Sequence, residues 1–107
     1  MAARREIVLA RVFFSDSSES KVRPCIVLSN GHYHSDGFLL VAAITTNLDD
    51  YCIPISEKDA NCLLDKSSSV RFDGVIKLPA RQAIKGIGRV SPEFYSQLID
   101  KIVSMLK

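Results

Sequence analysis

Apolar positions along the chain fall into short runs broken by polar clusters, and only at the C-terminus does their spacing change to that of a helix. Residues 6–14, EIVLARVFF, predict a first strand. Residues 24–29 predict a second, with Pro24 at its start, where a strand tolerates a missing N–H. FLLVAAIT, residues 38–45, predicts a third, apolar enough for burial on both faces. YCIPI, 51–55, predicts a fourth, and Pro54 places it at an edge or a bend. SSVRF, 68–72, and VIKL, 75–78, predict two more segments across a turn at Asp73-Gly74, and GIGRV, 86–90, a last short strand. Loops are expected at SDSSES, 15–20, and at NGHYHSDG, 30–37. Ser56 and Asp59 predict one short helical turn, and residues 80–84 another.

The last seventeen residues, SPEFYSQLIDKIVSMLK, predict a helix. Ser91 suits the N-cap, Pro92 the first helical position and Glu93 the first turn. Phe94, Tyr95, Leu98, Ile99, Ile102, Val103 and Leu106 recur at helical spacing, so one stripe should pack on the sheet. Short strands followed by one long helix, in 107 residues, predict a single domain spanning 1–107, mainly β with a C-terminal α-helix, built as a small twisted β-barrel.

Composition excludes several classes. Apolar residues make up 47% and charged residues 24%, which suits a globular chain rather than a disordered one. No apolar run approaches the roughly 20 residues of a membrane span. Arg11 interrupts the first apolar stretch, so it reads as a strand and not as a signal peptide. Cys25, Cys52 and Cys62 are an odd number without paired spacing, which points to a reducing, cytoplasmic setting. Net charge is only +2, but it is uneven. Lys66, Arg71, Lys77, Arg81, Lys85 and Arg89 face one acid, Asp73, so residues 66–89 carry +5 and the remainder −3. This local excess suits a polyanion, or else a solvated face of alternating cations.

Three polar features interrupt apolar strands: Arg23 beside the second, Thr45-Thr46 at the end of the third, and Arg71 with Asp73 in the fifth. Residues two apart in a strand share a face, so Arg71 and Asp73 should sit side by side if the strand reaches that far. Each feature also has a plain structural reading: a rim ion pair for Arg23, strand-end β-formers for the threonines, a surface ion pair for Arg71 and Asp73. No phosphate-binding glycine motif is present, since GIG at 86–88 is too short.

In order along the chain, REIVLARV, KVRPCIVLSN, VAAITTN and LLDKSSSVRFDGVIKLPARQAIKGIGRVS resemble the PemK/MazF family of toxin endoribonucleases. The family's opening strand reads arginine-glycine-acid, and the glycine is absent here. Its loop before Arg-Pro reads Gly-x-Glu-Gln-x-Gly, where this chain has SDSSESKV. The resemblance implies a homodimer of SH3-like, PemK/MazF/CcdB-like barrels that cuts single-stranded RNA in the cytoplasm, needs no metal or other cofactor, and is inhibited by a cognate antitoxin. It places the catalytic residues at Arg23, Thr45, Arg71 and Asp73, with Thr46 and the early acid Glu6 close by. Lys77, Arg81 and Lys85 of the basic stretch are the expected contacts to flanking phosphates. Two alternatives stay open: a non-catalytic binding module of the gyrase-inhibitor kind, and a chain that has lost toxicity and survives as an interaction protein.

Overall fold

The computed structural model describes residues 3–13 and 20–107. Six strands follow one another: β1 (Glu6–Phe13), β2 (Ser20–Val27), β3 (Phe38–Thr45), β4 (Cys52–Pro54), β5 (Ser69–Pro79) and β6 (Ala83–Arg89). A single helical turn, α1 (Gly31–His34), links β2 to β3, and a longer helix, α2 (Pro92–Ser104), ends the chain. All strand pairings are antiparallel, in the order β4-β5-β3-β2-β1-β6. Among the described residues no helix is long and apolar enough to cross a membrane.

Alternation along these strands splits the core in two. Ile7, Ile26, Ala42, Ile44, Val70 and Phe72 face one way and pack against Phe94 and Leu98 of α2. Val8, Ala10, Val12, Cys25, Val27, Val41 and Ala43 face the other way, with Leu39 and Leu78. β3 is therefore buried on both sides, as its unbroken apolar run predicts. The start of α2 also follows the sequence. Ser91 Oγ accepts the backbone N–H of Phe94 at 3.1 Å, and Pro92 opens the helix. Tyr95 ties the same turn to the sheet, donating its hydroxyl to Leu28 O at 2.7 Å. The predicted stripe runs out towards the C-terminus, where Val103 and Leu106 are exposed.

Several expectations need correction. The sheet is open: β4 and β6 lie at its two edges and do not pair, so the expected barrel is not closed. β4 is three residues long and contains Pro54, which has no N–H to offer a further strand. The flanking segments come together instead, through an isolated Ala60↔Val90 bridge and bonds from Asn61 N to Arg89 O and Ser91 N to Asp59 O. The turn expected at Asp73-Gly74 is a bulge inside one continuous β5. Ala42 pairs with Val75 and Ile44 with Val70, so the extra length of β5 is taken up opposite Ala43. Gly74 leaves room there for the Arg71 stem, whose Cδ lies 3.3 Å from where a Cβ would sit.

β2 starts at Ser20, so Arg23 and Pro24 lie within the strand rather than before it. Pairing with β3 begins only at Cys25, which keeps the missing N–H of Pro24 out of that ladder. The loop expected at 15–20 lies outside the described residues apart from Ser20, as does Phe14, the last residue of the expected first strand. The Ser56–Asp59 segment is a turn rather than a helix, with Asp59 Oδ2 accepting from Ser56 N and Oγ. The loop expected at 30–37 contains α1, capped by Asn30.

Arg5 adopts φ 75°, a left-handed conformation that glycine takes freely and that costs other residues about 1 kcal/mol or more. It stands directly before the acid Glu6, where the resembled motif has its glycine. Arg5 N donates to Val27 O and Arg5 O accepts from Val90 N, both at 2.9 Å, and these bonds hold the conformation.

Leu98 of α2 is fully buried against the sheet, whereas Leu106 is 78% exposed. Leu98→Ala should therefore cost about 2–5 kcal/mol and Leu106→Ala less than about 0.5 kcal/mol. Urea unfolding followed by circular dichroism checks both.

Candidate functional site

Strand register assembles the predicted residues. Cys25 of β2 pairs with Ala43 of β3. Arg23 lies two residues before Cys25 and Thr45 two residues after Ala43, so both leave the same face at the same end of their strands. Thr45 pairs with Ser69 of β5, and Arg71 lies two residues on from Ser69, again on that face. Arg71 Nη1 donates to Asp73 Oδ1 at 2.8 Å. One sheet face thus carries Arg23, Thr45, Arg71 and Asp73. Arg71 and Asp73 each keep about a third of the side chain exposed, so this end is open to solvent.

The connection from β3 to β4 adds a residue that sequence reading missed. Arg71 Nη2 also donates to Asp49 Oδ2. The other Asp49 oxygen, Oδ1, accepts from Tyr51 N at 2.8 Å. Thr45 Oγ1 accepts from Asn47 N at 3.1 Å, and Cys52 Sγ lies 3.4 Å from Asn47 O. These short-range bonds fold residues 46–51 back over the end of β5. An aspartate that bonds the N–H two residues on is a common turn device, and the TTNLDDY run was the available signal for it.

Electrostatics at the cluster follow from this geometry. The hydrogen bonds that Arg71 donates to Asp49, and then to Asp73, raise its pKa further, so the guanidinium stays charged. The Tyr51 backbone N–H, and then the Arg71 guanidinium, hold the Asp49 carboxyl below its ordinary range. A guanidinium has five N–H donors, and these two bonds leave three for another ligand. The Thr45 hydroxyl proton is likewise not used by the Asn47 bond. Burial pushes the Cys25 thiol up to about 12, with nearby Arg23 opposing the shift, so Cys25 is a neutral core residue. Tyr51 is half exposed beside this cluster, its ring tilted against Phe72 at 6.1 Å and its O accepting from Phe72 N at 3.0 Å.

A family model described as PemK-like, MazF-like toxin of type II toxin-antitoxin system matches residues 3–106. The chain belongs to the PemK-like, MazF-like toxin family. Solved structures agree in fold. A MazE-MazF crystal structure from Deinococcus radiodurans superposes with TM-score 0.79 at 16% identity, covering 98% of this chain and 95% of that one. The Mycobacterium tuberculosis toxin MazF-mt6 gives 0.74 at 22% identity, covering 94% of each chain. An endoribonuclease in complex with its cognate antitoxin from Mycobacterial species gives 0.72 at 14% identity, covering 97% of this chain and 90% of that one. No curated protein matches the chain in sequence.

The remaining candidates in this PemK/MazF chain are dispersed. Thr46 is exposed next to Thr45. Glu6 lies on β1 four residues from Ala10, the partner of Arg23, which is about 13 Å along the strand. There it accepts from Ala3 N at 2.9 Å and lines a cavity of about 300 Å3 with Lys85 and the buried His34. Lys77 extends over the Phe38 ring, 4.2 Å from its centre, and Arg81 is exposed in the 3-10 turn Ala80–Gln82. The basic stretch 66–89 therefore does not form one surface. Other cavities lie beside Ile55, Cys62 and Leu64 and beside Arg5 and Arg89, and none of these three is lined by Arg23, Thr45, Arg71 or Asp73.

A carboxylate whose folded pKa is depressed adds stability above its unfolded pKa of about 3.9 and loses it as pH falls through the folded value. Asp49 is such a group. The melting temperature of Asp49→Asn should lie below that of the wild type at pH 7, and the gap should close below about pH 4. Thermal melts across that range check the sign.

Proposed function

We propose that the protein is an endoribonuclease toxin that cleaves single-stranded RNA without metal, through attack by the ribose 2′-OH, and that a cognate antitoxin inhibits it. The observation that carries this reading is the shared face of Arg23, Thr45, Arg71 and Asp73 in a chain of the PemK/MazF family. Neighbours of the same fold are named as an endoribonuclease and as toxin–antitoxin complexes, which supports the partner assignment. Assembly as a homodimer in the cytoplasm belongs to the same proposal.

In-line attack by a 2′-OH needs a base at that hydroxyl, cations on the phosphorane oxygens and a proton for the departing 5′-oxygen. Asp73 is the proposed base, oriented by its bond to Arg71. Arg23 and Arg71 stabilise the phosphorane, since both are permanently charged and present planar donor sets. Arg71 acts as an electrostatic partner rather than an acid, because two carboxylates accept its hydrogen bonds, and the departing 5′-oxygen takes its proton from solvent at this open end of the sheet. Thr45 directs its hydroxyl proton at the phosphate, and Thr46 stands beside it. The exposed Tyr51 ring offers a stacking surface to an unpaired base next to the cut. Glu6 and Lys85 line one cavity, while Lys77 lies over Phe38 and Arg81 is exposed in the 3-10 turn, so these residues contact the RNA at separate points.

Arg23→Ala should abolish cleavage of a long single-stranded RNA while its circular dichroism spectrum is unchanged, and near-normal activity would remove Arg23 from the mechanism. Cleavage should persist in EDTA and stop when the nucleotide 5′ to the cut lacks its 2′-OH. Retained RNA binding without turnover in the wild type would select a binding module instead. Tyr51→Ala should raise KM about 5- to 150-fold with little change in kcat, the loss of one base stack worth about 1–3 kcal/mol. Steady-state cleavage kinetics separate the two constants.

A further inference from the structure

Near the start of β1 and the end of β6, three cations surround one cavity. Arg5, Lys58 and Arg89 line a space of about 290 Å3 together with Asp59, Asn61 and Ser91. Arg5 lies five residues from Ala10, the partner of Arg23, or about 17 Å along the chain, so this cavity is separate from the candidate nuclease site. Backbone bonds to Val27 and Val90 anchor Arg5, and its Nη1 donates to Val90 O at 2.9 Å. Four of its five donors remain. Lys58 and Arg89 take part in no ion pair among the described residues. The one acid present, Asp59, already has Oδ2 engaged by Ser56 N and Oγ.

Two observations point to a ligand of definite charge. Three cations against one carboxylate leave an excess of two positive charges at the cavity. Arginine also occupies a backbone position, φ 75°, that glycine would take without strain. Strain of this kind persists only where the surroundings hold it, and it gathers at ligand-binding positions. A phosphomonoester carries close to two negative charges at neutral pH, whereas a phosphodiester carries one. Two guanidiniums supply planar forks to its oxygens and Lys58 supplies a point charge.

We propose that Arg5, Lys58 and Arg89 form a pocket for a phosphate dianion, either free or at the end of a nucleotide chain. The assignment is independent of the nuclease reading. Thermal melts of the intact protein in sodium phosphate and in sodium chloride at matched ionic strength test it. The wild type should melt higher in phosphate, and Lys58→Gln/Arg89→Gln should weaken the apparent phosphate affinity about ten-fold or more. Arg5→Gly removes the third cation while relieving the backbone, and should weaken it likewise. The same experiment with a 5′-phosphorylated and a 5′-hydroxyl oligodeoxynucleotide, followed by fluorescence anisotropy, separates the sources, since DNA lacks the 2′-OH and is not cut. Tighter binding of the phosphorylated strand assigns a nucleic-acid end, and equal binding beside a phosphate shift assigns the free anion. Absence of a phosphate-specific shift in the wild type, or an undiminished shift in both variants, overturns the proposal.

Discussion

Antiparallel register between β2, β3 and β5 is the constraint on which the candidate site depends. A strand has two faces, and a slip of one residue exchanges them. Here both faces are apolar along the middle of each strand, which leaves little freedom. Ile26, Ala42, Ile44 and Val70 must meet α2, while Cys25, Val27, Val41 and Ala43 must fill the second cluster. With those positions set, Arg23 and Thr45 have no choice of side, because each is two residues beyond a paired core position. Slipping β2 by one residue would turn Arg23 towards the core under α2 and bury a charge without compensation. The same apolar packing that stabilises the sheet therefore aims the polar groups at its end.

Arg71 shows how the opposing charges are balanced at that end. It sits between Asp49 and Asp73, and all three side chains are partly exposed. In that setting the pairs add little stability, since solvent and salt screen them. Their effect is geometric: two carboxylates fix the plane of the guanidinium, and the bulge at Gly74 gives its stem a place to lie. Under the proposed function, a phosphate arriving at this face would meet a cation already oriented, which is the arrangement that electrostatic stabilisation of a transition state requires.

Membership of the PemK/MazF family coexists with identities of 14–22% to the three solved structures compared above. Such divergence is compatible with one architecture because burial on two faces demands apolar character and volume rather than particular residues. Arg5 illustrates the other side of that tolerance. Its backbone keeps a conformation suited to glycine although its side chain does not, and neighbouring strands supply the bonds that hold it.

The strands, the double burial of β3 and the capped C-terminal helix were legible in the sequence, because periodicity, apolar runs and capping residues act over a few positions. Arg23, Thr45, Arg71 and Asp73 were legible as polar interruptions of those runs and through the ordered family resemblance. What a local pattern does not carry is how distant segments close on one another. Asp73-Gly74 reads equally as a turn or a bulge, and only pairing with β3 selects the bulge. The open sheet follows from a β4 too short to continue the ladder. Asp49 joins Arg71, Glu6 leaves the cluster, and Arg5 meets Lys58 and Arg89, through contacts between residues far apart in the chain. Local chemistry decided which elements form, and long-range packing decided which side chains share a face.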